Sequence, residues 1–225
     1  FLGDRVRFAT DPEDQRVFVR SMAARQRLGG LADQSVSAMV LMRAVFDIVL
    51  IETVGVGQSE TDVSAVADTV VFCVQPGSGD SLQFMKAGIA EIPDIALVTK
   101  SDMGQAAERT KADLQGAISL ASQDHGKWEV KILTLSSARK EGVDELISTI
   151  DEHFAWMNRQ GILHERREEQ AAQWFREALR ELYGRRGLDF LKTKGLVPRI
   201  LDGAAPFELI ESIGKQITYS FREPL

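Results

Sequence analysis

Residues 47–60 read Asp47-Ile48-Val49-Leu50-Ile51-Glu52-Thr53-Val54-Gly55-Val56-Gly57-Gln58-Ser59-Glu60. An apolar run from Ile48 to Ile51 stops on an acid, Glu52, and Gly55 then opens a glycine-bearing loop. A short continuous apolar run is the pattern of a parallel strand buried on both faces, and parallel sheets gather ligands outside the carboxyl ends of their strands. The pattern therefore predicts a strand over 48–51 that delivers Glu52 to the mouth of a nucleotide site, where a carboxylate can hold a Mg²⁺-bound water. Gly55 has no side chain to keep its N–H from a terminal phosphate.

Two later strand ends extend the pattern. Ile95 to Val98 stops at Thr99-Lys100-Ser101-Asp102, which resembles the Asn-Lys-x-Asp guanine-recognition motif of GTPases. An aspartate there accepts two hydrogen bonds, from the ring N–H and the exocyclic amine, while the stem of Lys100 lies across the base. Adenine has no matching donors, and a buried carboxylate left unpaired rejects it strongly. Thr99 stands where the motif has asparagine and offers one hydroxyl donor in place of two, so guanine preference rests mainly on Asp102. Ile132 to Leu135 ends at Ser136-Ser137-Ala138, which resembles the loop whose backbone contacts the guanine carbonyl; Ser137 and Ala138 are its candidate base contacts. Each of the three ends alone fits an ordinary polar turn of an α/β domain, but their order and spacing together favour a nucleotide site.

One element of such a site is not in the sequence. No Gly-x-x-x-x-Gly-Lys-Ser/Thr occurs in the 225 residues, and Gly77-Ser78-Gly79-Asp80 lacks the required lysine. The chain starts at Phe1 without a methionine. The expectation is the carboxyl-terminal part of a longer GTPase, lacking at least one strand-loop-helix unit of about 30 residues.

Gly3-Asp4-Arg5-Val6-Arg7, Phe18-Val19-Arg20-Ser21-Met22-Ala23, Leu28-Gly29-Gly30-Leu31, Glu52 through Glu60 and Pro76-Gly77-Ser78-Gly79-Asp80 together resemble the methylmalonyl-CoA mutase accessory GTPases. That family is also labelled arginine/lysine/ornithine transport-system ATPases or kinases. The resemblance runs from Phe1 to about Gly161 and is less clear from Leu188 onward. It implies an α/β fold, a P-loop NTPase-type three-layer sandwich with a mostly parallel sheet. It also implies slow GTP hydrolysis with Mg²⁺ as cofactor and GTP or GDP as ligand. The implied partner is an adenosylcobalamin-dependent mutase, which the protein would protect or help to load.

Individual roles follow from the same resemblance. Asp4 matches a position near the metal and is expected beside Glu52 as a Mg²⁺ ligand, with an N-terminal turn residue as the alternative. Gln58 is the candidate for positioning the hydrolytic water. Lys86 is the charged sensor of a segment that follows Pro76 and resembles a mutase-contacting loop; Asp80 and Gln83 share it, and Asp80 serves as well as a helix N-cap. Two alternatives stay open: an ATPase or kinase of amino-acid transport, against which Asp102 argues, and a fragment that acts only as a binding module.

Composition sets the outer bounds. A net charge of −6 and a pI near 5.2 recommend neither nucleic acid nor an anionic membrane as partner. The longest apolar stretch, Ala38 to Ile51, is broken by Arg43 and Asp47 and is too short to span a bilayer. The expected location is cytoplasmic. The single cysteine, Cys73, excludes an internal disulfide framework and is expected to be a buried small hydrophobe. His125, His153 and His164 have no zinc-ligand spacing, and no Gly-x-Ser-x-Gly elbow occurs.

Alternating signals predict helices over 31–45, 80–91, 105–122 and 143–158, and strands over 68–75, 94–99 and 131–135. The expected organisation is a GTPase domain over 1–160 and a helical extension over 161–225. In the extension Ala171, Trp174, Phe175, Ala178, Leu182 and Tyr183 recur at helical spacing. They form either an internal packing face or a dimerisation or partner-docking arm. A last short helix is expected over 206–217.

Overall fold

Three four-residue strands, Val71–Val74 (β1), Ile95–Val98 (β2) and Lys131–Thr134 (β3), pair in parallel in the order β1-β2-β3. Val71 is opposite Ile95, and Ile95 is opposite Lys131. The computed structural model describes residues 11, 13, 14, 16–21, 33–53, 61–77, 93–121, 128–193, 195 and 209–215. By their contacts the residues fall into two compact units, Phe1–His153 and Phe154–Leu225.

In the first unit the period-2 alternation of the strands divides the core into two sheets of side chains. Phe72, Val74, Ala96, Val98 and Ile132 turn to one face, where Ala107, Leu114 and Ile118 of helix α3 (Gln105–Ala121) cover them. Val71, Ile95, Leu97, Leu133 and Leu135 turn to the other, against Leu146 and Ile150 of helix α4 (Val143–Gln160). This helix-sheet-helix arrangement requires the central strand to be apolar throughout, and all four residues of β2 are buried. Ile95, Leu97 and Val98 each contribute roughly 1.5–3 kcal/mol relative to exposure, and the methyl of Ala96 less. Two further helices precede the sheet, α1 (Asp33–Val45) and the single turn α2 (Thr61–Ser64).

The amino ends of the strands are stitched by polar groups. Asp94, just before β2, accepts the Val70 N–H on Oδ2 at 2.8 Å, and its other oxygen stands 3.3 Å from His153 Nε2. His153 Nδ1 shares a hydrogen bond of 2.9 Å with the Thr69 hydroxyl, and Trp128 Nε1 donates to the Asp94 carbonyl at 2.9 Å. The Trp128 and His153 rings lie 4.8 Å apart. His153 is fully buried on the α4 face, so these bonds tie α4 to the loops entering β1 and β2.

Two expectations are corrected. The segment 48–51 forms no strand: it pairs with no described strand, and Ile48 and Leu50 are 73% and 86% exposed. A parallel strand is buried only when neighbouring elements cover its faces, and among the described strands the ladder of β1 runs to β2 alone. Cys73 likewise is exposed, since among the described strands β1 has a neighbour on one side alone; partial shielding of its sulfur still pushes the thiol above its ordinary pKa. The other strands and helices form where the pattern put them, within a few residues at each end. The exception is the helix expected over 80–91, which lies outside the described residues. Among the described residues no helix is long and apolar enough to cross a membrane.

The second unit is helical. Helix α5 (Ile162–Thr193) is interrupted at Gly184, whose φ of 68° and ψ of −179° only glycine adopts readily. Phe175 and Leu179 before the break, Leu191 after it and Ile213 from the helical segment 209–215 make one buried cluster, flanked by Trp174 and Tyr183. The apolar face predicted from the sequence is therefore largely internal, with Leu182 left 59% exposed.

Two outcomes follow for stability. Asp94→Ala strands the Val70 N–H and removes the carboxylate beside His153, and should lower the unfolding free energy by about 2–4 kcal/mol in urea titrations. Phe175→Ala should cost about 3–5 kcal/mol, whereas Leu182→Ala should change stability by under about 0.5 kcal/mol; equal losses in circular-dichroism melts would overturn this packing.

Candidate functional site

The carboxyl ends of β2 and β3 run into two loops that meet. After Val98 the chain passes Thr99, turns through Lys100 in the left-handed region (φ 52°) and makes one 3₁₀ turn, Ser101–Met103, before α3 begins. After Thr134 and Leu135 it forms a closed loop from Ser136 to Gly142, where α4 starts. The two are fastened by backbone bonds: Leu135 N–H donates to Val98 at 2.9 Å and Ser101 N–H donates to Leu135 at 3.0 Å.

Side chains complete the connection. The hydroxyl of Ser136, a fully buried residue, donates to Asp102 Oδ1 at 2.5 Å, and Ser136 Oγ in turn accepts the Arg139 N–H at 3.2 Å. Asp102 itself is exposed, as are Lys100, Ser137, Ala138 and Arg139. Its carboxyl is held below the usual aspartate range, first by the Ser136 hydroxyl, then by its own backbone N–H, with smaller contributions from Arg139 and Lys100; partial desolvation opposes these. An ionised carboxylate with one oxygen partly engaged keeps acceptor capacity for two parallel N–H donors from outside. A guanine edge has that pair of donors.

The sequence-predicted residues divide clearly. Thr99, Lys100, Asp102, Ser137 and Ala138 come together at this one edge of the sheet. Thr99 spends its hydroxyl on the Val74 carbonyl at 3.2 Å, so its donor ties β2 to β1. Glu52 is exposed on the unpaired segment. Asp4, Gly55, Gln58 and Lys86 lie outside the described residues. Among the described residues no three His, Cys, Asp or Glu side chains gather to hold a metal.

Sequence reasoning singled out Ser137 and Ala138, but Ser136 is the side chain that reaches Asp102. The available signal was its place at the strand end, one residue after the last core position Leu135, where a small hydroxyl can turn under the loop.

A parallel α/β sheet with these loops at its carboxyl edge is a P-loop NTPase-like fold. The model of the methylmalonyl-CoA mutase-associated GTPase MeaB matches residues 1–187, and the chain belongs to that family. A Pyrococcus abyssi protein whose name assigns it provisionally to the GTPases is 40% identical over 169 residues, 74% of this chain and 52% of its own length. The GTPase ArgK of Escherichia coli is 30% identical over 183 residues, 80% of this chain and 55% of its own. The mitochondrial methylmalonic aciduria type A homolog of Caenorhabditis elegans is 35% identical over 176 residues, 77% and 44% of the two chains. The chain thus spans about half the length of these relatives.

The electrostatics carry a sign that can be checked. Because the folded Asp102 pKa lies below its unfolded value near 3.9, its stabilising contribution is present above that value and is lost as pH falls through the folded pKa. Ser136→Ala should move the Asp102 midpoint upward toward the ordinary range. Carboxyl-carbon NMR titration of both proteins reads the shift directly, and an unmoved midpoint would remove Ser136 as its main cause.

Proposed function

We propose that this chain is the guanine-binding part of an accessory GTPase that protects, or assists the loading of, an adenosylcobalamin-dependent mutase of the methylmalonyl-CoA type. The observation that carries the proposal is the Ser136-anchored carboxylate of Asp102 at the carboxyl end of the central strand. Family membership supports the mutase as partner, and the relatives' names support GTP hydrolysis as the activity of the whole protein.

Within that reading Asp102 selects the base, Lys100 covers it, and the 136–138 backbone meets its carbonyl. Gly55 receives the terminal phosphate. Mg²⁺ neutralises phosphate charge, with Asp4 and Glu52 as its proposed protein ligands. Gln58 orients water and Lys86 senses the partner. The helical unit beyond His153, with Leu182 exposed, is proposed as a dimerisation or docking arm. The protein would work in the cytoplasm as a homodimer.

Base selection is testable on the chain as it stands. Asp102→Asn replaces one acceptor by a donor facing the exocyclic amine of guanine, while xanthine carries a carbonyl there. The variant should lose affinity for guanosine monophosphate by about tenfold or more, the scale of one mismatched hydrogen bond, and gain affinity for xanthosine monophosphate. Adenosine monophosphate should bind both proteins equally weakly. A parent that binds adenosine and guanosine monophosphates alike would defeat the guanine assignment.

A further inference from the structure

The loop from Ser136 to Gly142 is closed more tightly than a simple strand-to-helix connection needs. Ser136 and Glu141 exchange both backbone hydrogen bonds, each 3.1 Å, as an isolated antiparallel bridge. Lys140 takes the left-handed region at φ 56° to bring Glu141 back. Gly142 follows at φ 81°, and a Cβ there would collide with the Thr134 carbonyl oxygen and lie 3.2 Å from Leu135 Cα. Its own carbonyl accepts the Leu146 N–H at 3.1 Å, which opens the first turn of α4. Gly142 is thus wedged between the end of β3 and the start of a helix, where an L side chain has neither the backbone conformation nor the space.

From this packing we infer that Gly142 is a positioning residue for base selection, acting through the Ser136–Glu141 bridge on the Ser136 hydroxyl and so on Asp102. This rests on the reading of Asp102 as the base reader. The chain of contact is short and continuous. Gly142 permits the close return, the return fixes Glu141 against Ser136, and Ser136, buried and bonded by Arg139 N–H, holds one oxygen of Asp102. Two hydrogen bonds to a planar base edge need a carboxylate fixed in plane. A carboxylate free to rotate pays that ordering on binding and discriminates less. Phosphate and ribose contacts do not depend on that plane, so disruption at Gly142 should weaken discrimination more than binding as such.

The test measures guanosine, inosine and adenosine monophosphates against the parent chain, Gly142→Ala and a variant with one glycine inserted between Lys140 and Glu141. The insertion breaks the Ser136–Glu141 register while leaving Gly142 and the helix start intact, and a one-residue loop extension costs little. Inosine lacks the exocyclic amine, so the guanosine-to-inosine ratio reports the second hydrogen bond. Both variants should lose most of that preference, about tenfold where the parent shows it, with adenosine monophosphate binding unchanged. The Asp102 carboxyl-carbon resonance at neutral pH should move to its position in Ser136→Ala. Gly161→Ala, a positive-φ glycine with open space around it in the second unit, should be strained yet keep the parental ratio and resonance. If Gly142→Ala does not fold, the insertion variant decides alone. A parent without guanosine preference overturns the base reading and this inference with it. A selective parent whose variants keep both the ratio and the Asp102 resonance overturns the positioning role and leaves the base reading standing.

Discussion

Everything described in the first unit depends on one constraint: β2 is a four-residue strand covered on both faces and paired on both edges. With no side of Ile95–Val98 open to water, polar groups can enter only at its two ends, and both ends are used. At the amino end Asp94 closes the frame with Val70, Thr69, Trp128 and His153. At the carboxyl end Thr99, Lys100 and Asp102 emerge beside the loop from β3. A strand this short leaves little freedom between the two, since burial of each side chain fixes the pleat and the pleat fixes which way the next residue leaves.

The two ends place their polar atoms in opposite surroundings, which separates structure from chemistry. Asp94 and His153 are buried side by side, Asp94 accepting the Val70 N–H and His153 bonded to the Thr69 hydroxyl. Asp102 is exposed but anchored from beneath by a buried hydroxyl, and two cations lower its pKa further. A fully buried carboxylate could not meet a ligand, and an unanchored exposed one would have no preferred plane. The Ser136 bond resolves this by burying the donor and leaving the acceptor at the surface.

The sequence made the sheet legible because β2 and its neighbours carry the pattern of doubly buried strands, and helices α3 and α4 repeat their apolar residues at the spacing of one face. Asp102 and its loop were legible because a motif fixes them to a strand end. Ser136 was harder to read. Its role depends on a bond across 34 residues, which no local pattern encodes. The 48–51 segment shows the converse limit: the same apolar run that becomes a buried strand when neighbours flank it stands exposed when none of the described strands does. Cys73 is exposed for the same reason, because which described strands flank β1 is a property of the sheet and not of the residue. In α5 the helical period was plain, but only the break at Gly184 lets the helix fold its own apolar face inward, which periodicity alone could not distinguish from an intermolecular face.

On the proposed reading of Asp102, base selection rests wholly on the ends of β2 and β3, which has a consequence for how specificity and hydrolysis divide. Discrimination between guanine and adenine arises from two directed hydrogen bonds and the cost of leaving them unmade, a difference confined to the base. Affinity for a triphosphate and its hydrolysis arise from charge neutralisation along the phosphates. In the proposed reading these draw on separate residues: Asp102, Ser136 and Gly142 on one side, Asp4, Glu52, Gly55, Gln58 and Lys86 on the other. The first group is fixed by backbone and side-chain bonds internal to one sheet edge and needs no contribution from the phosphate side to hold its shape. Selectivity can therefore be a property of this edge even where the phosphate contacts, and with them the catalytic step, are supplied elsewhere in the polypeptide.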